Sequence, residues 1–308
     1  MILLASPGQG AQTPGFLQPW LEIPGVADRL AWWSAVTGLD LVRYGTEADA
    51  EEIRDTAVAQ PLLVAAALAA YEVLYEDAAR DAVPDAVAGH SVGELAAAAI
   101  AGVLTPEAAL VLVRERGRAM AEAAAVTETG MTAVLGGDPD EVLASIDKHG
   151  LTPANVNGAG QIVAAGTTER LARFADEPPA KARLRPLSVA GAFHTEHMEP
   201  AVETLRRLAA GAPVADPRTK LLQNRDGAVI ASGREFVARL VDQVSAPVRW
   251  DSCMAAMRDL GVTAIIELPP AGTLTGLARR ELKGVELVAL KTPADLDKAR
   301  ELIKADAS

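Results

Sequence analysis

The feature that most constrains this chain is a serine between two glycines at a predicted strand-to-helix junction. The apolar residues 86–88 predict a short buried strand, and the alanine-rich residues 92–101 predict a helix. Between them the chain reads Gly89-His90-Ser91-Val92-Gly93. In such a turn the two glycines come so close that a Cβ on either would clash. The serine hydroxyl is then held in a cleft at the positive end of the helix dipole.

A purely structural role also fits these residues. Serine is a common helix N-cap and glycine a common turn residue, so Ser91 could simply begin the helix. The predicted strand before the motif and the predicted helix after it favour a nucleophile instead. A serine nucleophile needs a base, so the histidines of the chain are the next residues to consider.

Four histidines compete for the role of base. His90 is adjacent to Ser91, but neighbours on a sharp turn point apart, so we expect it to pack or hydrogen-bond behind the turn. His149 ends a predicted helix, where a surface role is expected. His194 lies in a loop between a predicted strand and a helix, where catalytic residues collect in α/β folds. We choose His194 as the base, with His197 in reserve.

The third member of a triad is left open by the sequence. Asp226, Asp251 and Glu196 are candidates, but nothing marks one of them. A backbone carbonyl or an amide side chain could hold the imidazole tautomer instead, which would make the site a dyad.

Arg116 is a candidate for binding an anion. On the predicted helix after Thr105 it lies beside apolar residues such as Val113 and Met120, whereas Arg114 and Arg118 share another face and are expected to be solvated. A buried guanidinium is costly without an anion, and a carboxylate can satisfy it through two parallel hydrogen bonds. The pattern therefore indicates that Arg116 needs an anion as its partner.

Composition excludes several classes of protein. Half of the 308 residues are apolar, and 29 basic against 41 acidic residues give a net charge of −12. A sizeable core is available, and general nucleic-acid binding is disfavoured because phosphates reward clustered Lys and Arg. The single cysteine, Cys253, and the scattered histidines indicate no disulfide framework and no metal site.

The apolar runs of the chain predict a soluble cytoplasmic protein. Residues 95–104 form an apolar run of about half the length that a membrane span needs. The first residues, MILLASPGQG, lack the basic segment and the long apolar run of a signal peptide.

Strand and helix signals alternate along the chain in an order that divides it in two. Over 127–190 the predicted order is strand-helix-strand-strand-helix-strand, which is similar to the split βαβ pattern and interrupts a larger α/β body. We therefore predict a large domain from 1–126 and 191–308 and a small inserted domain from 127–190. The predicted elements include helices at 58–79, 197–210 and 233–244 and strands at 182–189 and 263–268.

Six motifs in this order carry a resemblance to a known family. They are Pro7-Gly8-Gln9-Gly10-Ala11-Gln12, Gly89-His90-Ser91-Val92-Gly93-Glu94, Arg116-Gly117, Asn155-Val156-Asn157, Gly191-Ala192-Phe193-His194 and Gln243-x3-Pro247-Val248-x-Trp250. Together they closely resemble the malonyl-CoA:acyl carrier protein transacylases over nearly the whole chain. The resemblance implies an α/β-hydrolase-like large domain with an inserted ferredoxin-like small domain.

The resemblance also implies a ping-pong reaction. Ser91 attacks the malonyl thioester while His194 takes its proton, and the phosphopantetheine thiol of acyl carrier protein then takes up the malonyl group. The backbone amides of Gln9 and Val92 form the oxyanion hole. Gln243 helps to position His194 through its backbone carbonyl.

Further implied roles concern the substrate and the partners. Arg116 binds the free malonyl carboxylate, Phe193 crowds a branched α-carbon and so disfavours methylmalonyl, and Asn157 lies near the cleft. No cofactor and no metal are implied, because CoA enters as a substrate. The expected partners are malonyl-CoA and acyl carrier protein, with neither nucleic acid nor membrane, and the expected state is a monomer.

Three alternative functions remain. The same turn serves serine esterases and thioesterases, a trans-acting acyltransferase could serve a polyketide synthase, and a silent module could bind the carrier protein without chemistry. Acyl carrier proteins are acidic, so docking on an acidic chain needs a local basic patch. The candidates are Lys181, Arg183 and Arg185 near the end of the small domain, and Arg279, Arg280 and Lys283 on a late helix.

Overall fold

A computed structural model describes residues 1–76, 84–189 and 191–306. Three parts of the predictions lie outside the described residues: the end of the helix predicted at 58–79, residue 190 at the predicted domain boundary, and the tail 307–308. The strands are β1 Ile2–Ser6, β2 Ala86–Gly89, β3 Thr129–Gly136, β4 Thr152–Gly158, β5 Gln161–Thr167, β6 Ala182–Pro186, β7 Lys220–Leu221, β8 Val248–Arg249, β9 Ala264–Glu267 and β10 Glu286–Ala289.

The α-helices lie between these strands along the chain, except the last, which follows β10. They are α1 Val26–Thr37, α2 Leu41–Thr46, α3 Thr56–Leu74, α4 Gly93–Ile100, α5 Pro106–Ala124, α6 Pro139–Lys148, α7 Thr168–Asp176, α8 Glu199–Ala210, α9 Gly233–Asp242, α10 Trp250–Asp259, α11 Thr273–Glu281 and α12 Leu296–Asp306.

The first sheet is parallel throughout and positions the site. Its strand order is β10-β9-β1-β2-β7, and each neighbouring pair runs in the same direction. Every residue of β1, β2 and β9 is buried, as expected of strands covered by helices on both faces. The carboxyl ends of β1, β2 and β7 lie side by side, so the loops that leave these three strands meet at one edge.

The second sheet has the order β6-β3-β5-β4-β8 and is antiparallel except for the pair β4–β8. The elements β3-α6-β4-β5-α7-β6 follow the predicted order along the chain. Strand β8 comes from the C-terminal part of the chain and pairs with β4, so the two parts of the chain share one sheet. The predicted α/β class is confirmed, and the predicted domain boundaries stay a prediction.

Helix α3 is a long and strongly apolar helix. By length and composition it could cross a membrane, but 83% of its apolar window is buried inside the protein, as in the core helix of a folded domain. Pro61 lies inside α3 and cannot donate the helical hydrogen bond to the carbonyl of Ala57. Nη1 of Arg114 donates to that carbonyl at 2.9 Å instead, so the prediction of a solvated Arg114 was wrong.

Several predicted boundaries were wrong for a local reason. Strand β6 ends at Pro186 rather than residue 189, because proline has no N–H to donate to the ladder, and the Leu187 amide makes one more bond to β3, at the carbonyl of Met131. The helix predicted at 197–210 is a 3₁₀ turn followed by α8, since Pro200 fits only the first turn of an α-helix. The helix predicted at 233–244 ends as α9 at Asp242 and continues as a 3₁₀ turn, Gln243–Ser245.

Candidate active site

The turn after β2 is as sharp as the glycines predict. Ser91 has a positive φ of 52°, which residues with a side chain seldom adopt. A Cβ on Gly89 would lie 2.0 Å from the carbonyl carbon of Gly93, and a Cβ on Gly93 would lie 2.2 Å from the carbonyl oxygen of Ser6. The prediction that neither glycine tolerates a side chain is confirmed. The end of β1 therefore packs directly against this turn.

His194 lies against the serine. Its Nε2 is 2.7 Å from Ser91 Oγ, and its Nδ1 is 2.8 Å from the backbone carbonyl of Gln243. Because a carbonyl only accepts, Nδ1 carries the proton and Nε2 is free to accept from the serine hydroxyl. Burial, and then the charge of Arg116, lower the pKa of His194 to about 3, so the imidazole is neutral at pH 7. A neutral imidazole bonded to a serine hydroxyl is a competent general base.

The other candidates for this part of the site lie elsewhere. The reserve base His197 belongs to the 3₁₀ turn Glu196–Met198, where its backbone amide donates to Thr195 Oγ1. Asp226 is paired with Arg239, and Asp251 with Arg249. The backbone carbonyl of Gln243 therefore occupies the position that a carboxylate holds in a triad.

Arg116 projects from α5 into the same buried space and is 1% exposed. Its Nη1 donates to Gln60 Oε1 at 2.6 Å, and its Nη2 donates to Gln243 Oε1 at 3.0 Å and to Ser91 Oγ at 3.3 Å. Burial lowers its pKa to about 10, so the guanidinium is charged at pH 7. The site thus combines a nucleophile, a neutral base and a buried cation.

Close contact between two helices places this arginine. A Cβ on Gly117 would lie 2.8 Å from the carbonyl oxygen of Thr56, so glycine lets α5 approach α3. That approach brings Arg116 within hydrogen-bonding distance of Gln60, the residue before Pro61. Gln60 was not predicted as a site residue, although a polar residue in an otherwise apolar helix is a signal for one.

A buried acid, Glu94, and the amides of Asn224 and Gln243 connect the site, and of these three only Gln243 was predicted as a site residue. Glu94 is 0% exposed and accepts from the Asn224 backbone amide at 2.7 Å and from Gln243 Nε2 at 2.5 Å. Asn224 Oδ1 accepts from the Ser91 backbone amide at 2.8 Å, and its Nδ2 donates to the carbonyl of Gly89 at 2.8 Å. The available signal for Asn224 was a pair of polar residues, Gln223 and Asn224, directly after the two leucines 221–222.

The remaining predicted residues surround this centre. Within the described part of the chain, neither the backbone amide of Gln9 nor that of Val92 donates a hydrogen bond, so both are free for an oxyanion. Gln9 Nε2 donates to Thr56 Oγ1 at 3.1 Å. Asn157 Oδ1 accepts from His90 Nε2 at 2.8 Å, which confirms that His90 hydrogen-bonds behind the turn. Phe193 is 6% exposed and lies in an apolar cluster with residues of α5.

Comparisons with known proteins agree with this architecture. A family model described as acyl transferase domain matches residues 7–296. The malonyl CoA-acyl carrier protein transacylase of Mycobacterium tuberculosis (strain ATCC 25618 / H37Rv) is 54% identical over 302 residues, which is 98% of this chain and 100% of that protein. The Bacillus subtilis (strain 168) protein of the same name is 33% identical over 99% of this chain and 98% of its own length.

Solved structures lead to the same family. The crystal structure of MCAT from Mycobacterium tuberculosis has a TM-score of 0.93 at 54% identity and covers 97% of this chain and 99% of its own. PlMCAT, a malonyl-transacylase in complex with the type II PKS acyl-carrier protein AntF, has a TM-score of 0.92 at 31% identity, covering 98% of this chain and 99% of its own. With a serine, a neutral histidine and a buried arginine in one cleft of the shared fold, this chain belongs to the acyl transferase family, in its malonyl CoA-acyl carrier protein transacylase branch.

Proposed function

We propose that this enzyme moves a malonyl group from malonyl-CoA to the phosphopantetheine thiol of an acyl carrier protein. The observation that carries the proposal is the charged Arg116 guanidinium 3.3 Å from Ser91 Oγ, next to a neutral His194. The full-length similarity to malonyl CoA-acyl carrier protein transacylases supports the same substrate and acceptor.

The first half-reaction loads the serine. Ser91 Oγ attacks the thioester carbonyl carbon of malonyl-CoA and passes its proton to His194 Nε2. The carbonyl oxygen becomes an oxyanion that the backbone amides of Gln9 and Val92 stabilise. The tetrahedral intermediate then expels the CoA sulfur, which takes the proton from His194, and leaves a malonyl ester on Ser91.

The second half-reaction transfers the group. The phosphopantetheine thiol gives its proton to His194 and attacks the ester carbonyl through the same oxyanion geometry. The ester bond to Ser91 breaks, and Oγ recovers the proton from His194. Gln243 keeps the imidazole in the required tautomer through both half-reactions, because its carbonyl accepts from Nδ1.

Selectivity for malonyl arises at the far end of the acyl group. Arg116 binds the free carboxylate through charge-assisted hydrogen bonds, which acetyl cannot make. Phe193 limits the room for a branch on the α-carbon, although one methyl group changes binding by only about 1–3 kcal/mol. Asn157 acts on the cleft indirectly, because its Oδ1 accepts from His90 Nε2 behind the serine turn.

The test is the intact mass of the protein after mixing with malonyl-CoA or acetyl-CoA. We expect one malonyl adduct on the wild type and none on Ser91→Ala. Arg116→Ala should slow malonyl loading at least about tenfold, since a hydrogen bond to a charged group contributes about 1.5–3 kcal/mol. Arg118→Ala is the matched control, because that arginine lies on the same helix but its side chain is 52% exposed.

Other outcomes separate the alternative functions. Steady release of free malonate without an adduct contradicts the transferase and indicates a hydrolase. No adduct and no turnover leave only a carrier-binding module. A malonyl adduct whose yield is equal in Arg116→Ala contradicts the role of the arginine while leaving the acyl-enzyme intact.

A second acceptor has specific support. PlMCAT, at 31% identity, is in complex with a type II PKS acyl-carrier protein. A trans-acting role in polyketide synthesis uses the same chemistry with a different carrier protein. The malonyl-loaded enzyme is mixed in parallel with a fatty-acid carrier protein and with a polyketide carrier protein. The carrier protein that receives the malonyl group faster indicates the role.

The proposal includes the state in which the enzyme works. We expect a monomer in the cytoplasm that needs no cofactor or metal, because Ser91 and His194 supply the nucleophile and the base, and CoA is a substrate. Light scattering after size exclusion checks the oligomeric state, and malonyl loading in the presence of a chelator checks the metal.

A further inference from the structure

Glu94 is a buried acid with no place in the two half-reactions. It lies in the first turn of α4, three residues after Ser91, and is 0% exposed. A structural role for such a residue would be to bond the free amides of its own helix. Its carboxylate instead bonds across the fold, to Asn224 after β7 and to Gln243 after α9.

The Gln243 side chain links this carboxylate to the arginine. Its Oε1 accepts from Arg116 Nη2 at 3.0 Å, and its Nε2 donates to Glu94 Oε2 at 2.5 Å. A guanidinium can only donate, and an ionised carboxylate can only accept. The amide therefore has one satisfactory orientation, and turning it over would set donor against donor at Arg116.

Asn224 links the same carboxylate to the nucleophile. Its backbone amide donates to Glu94 Oε1, while its side-chain Oδ1 accepts from the Ser91 backbone amide at 2.8 Å. Gln243 Nε2 also lies 3.1 Å from that Oδ1. The two oxygens of Glu94 thus hold the residue that supports the serine turn and the residue that supports both His194 and Arg116.

We propose that ionised Glu94 is a positioning residue that sets the orientation of the Gln243 amide, and through it the guanidinium of Arg116 that selects malonyl. The inference rests on the proposed function. Protonation puts a hydrogen on one carboxyl oxygen of Glu94, so one of the two N–H groups that face this carboxyl loses an ionised acceptor. Gln243 Nε2 then depends more on its contact with Asn224 Oδ1 at 3.1 Å, and the amide is held less firmly with Oε1 toward Arg116. Malonyl loading suffers more than acetyl loading, because only malonyl uses Arg116.

The surrounding charges make this a pH-dependent effect. Burial raises the pKa of Glu94 to about 8, against the opposing effects of the Asn224 amide and of Arg116. The other charged or titratable groups near this carboxyl are Arg116 on α5, Arg239 on α9, Cys253 on α10 and, through Gln243, His194.

Where the fold shifts the pKa of one of these other groups, the shifted value lies away from pH 8. The pKa of Arg116 is about 10 and that of His194 about 3, burial raises the pKa of the Cys253 thiol, and Arg239 is ion-paired with Asp226. Glu94 is then the group of this cluster that titrates around pH 8. The ratio of malonyl to acetyl loading rates should rise as the pH increases through this value.

The test measures loading rates of the wild type and Glu94→Gln with malonyl-CoA and acetyl-CoA between pH 6.5 and 9.0 by quenched-flow intact mass, a range around the Glu94 pKa of about 8 and below the Arg116 pKa of about 10. Glu94→Gln keeps the shape of the side chain. In either orientation, however, the new NH₂ group faces a donor, which is the Asn224 backbone amide in one case and Gln243 Nε2 in the other. We expect malonyl loading at least about tenfold slower at high pH, a smaller loss for acetyl, and a malonyl-to-acetyl ratio that no longer changes with pH.

Glu267→Gln is the matched control. Glu267 is also 0% exposed and is the last residue of β9, where its carboxylate accepts from the backbone amides of Gly272, Leu274 and Thr275 and not from the site residues. Its variant should lower the thermal unfolding temperature and leave the malonyl-to-acetyl ratio and its pH dependence unchanged.

Two results overturn the inference. One is a Glu94→Gln enzyme with the wild-type ratio at every pH. The other applies if that variant does not fold, and it needs the wild type only: a malonyl-to-acetyl ratio that stays constant through pH 8. Absence of any malonyl adduct on the wild type is a different outcome and contradicts the proposed function itself.

Discussion

Ser91 and His194 both hold backbone conformations that residues with a side chain seldom adopt, with φ values of 52° and 62°. Such conformations cost of order 1–3 kcal/mol each and persist only where the surroundings fix them. Asn224 fixes the first through the Ser91 amide, and the carbonyl of Val244 fixes the second through the His194 amide. Ser91 Oγ and His194 Nε2 thus lie 2.7 Å apart because a hydrogen bond fixes the backbone at each of these two residues.

The glycines beside the serine give a direct prediction. Gly89→Ala should abolish malonyl loading and lower the unfolding temperature strongly, because the new Cβ would lie 2.0 Å from the backbone of Gly93. Gly276→Ala is the control: it lies inside α11 with no atom within 4 Å of the new Cβ, so it should stabilise the protein by about 0.4–1 kcal/mol. Calorimetry and intact mass measure both effects, and a soluble, fully loaded Gly89→Ala enzyme contradicts the account of the turn.

At the scale of elements, the contact between α3 and α5 connects the missing hydrogen bond at Pro61 of α3 with the site. Pro61 leaves the carbonyl of Ala57 without its helical donor, and Arg114 of α5 supplies one. The next residue pair along the same contact is Gln60 with Arg116. The α3–α5 interface therefore supplies the missing donor to α3 and also orients the guanidinium that faces Ser91.

A double-mutant cycle tests this coupling. Arg114→Ala should destabilise the protein by about 1–3 kcal/mol, because a partly buried carbonyl loses its partner. In a Pro61→Ala background the restored backbone amide can donate to Ala57, so the same arginine substitution should cost clearly less. Urea unfolding of the four proteins gives the interaction energy, and strictly additive effects contradict the repair.

At the scale of the whole molecule, the two sheets meet beside the catalytic turn. Strand β8 pairs with β4, and Asn157 at the end of β4 bonds to His90. The turn after β4 is tied to α11, where Glu281 accepts from the Ala159 amide at 3.0 Å. The exposed Arg279 and Arg280 at the end of α11 are thus close to the catalytic turn along this chain of contacts, whereas β6 lies at the opposite edge of the second sheet.

This arrangement ranks the two basic patches for carrier docking. Reversing Arg279 and Arg280 to Glu should raise the KM for an acidic carrier protein several-fold and leave that for malonyl-CoA unchanged, because both side chains are exposed and outside the buried site. Reversing Arg183 and Arg185 on the β6 edge is the matched control. Steady-state kinetics with each substrate varied measures the effect, and a larger change in the control assigns docking to the β6 edge instead.

The sequence by itself determined the local features. The glycine-flanked serine, the β-α-β-β-α-β order and the base in a loop after a strand depend on steric limits and short-range periodicity, which neighbouring residues set. The choice of Arg116 over Arg114 also followed from helical spacing, although the hydrogen bond of Arg114 did not.

Tertiary structure alone decided which distant residues share the site. Gln60, Glu94 and Asn224 come from α3, α4 and the loop after β7, and the local signals at Gln60 and Asn224 do not tell which partners these residues meet. Their roles arise because burial removes water, so each donor and acceptor must find its partner in the protein. Which partners are available depends on how strands far apart in the chain align, and that is a property of the assembled fold.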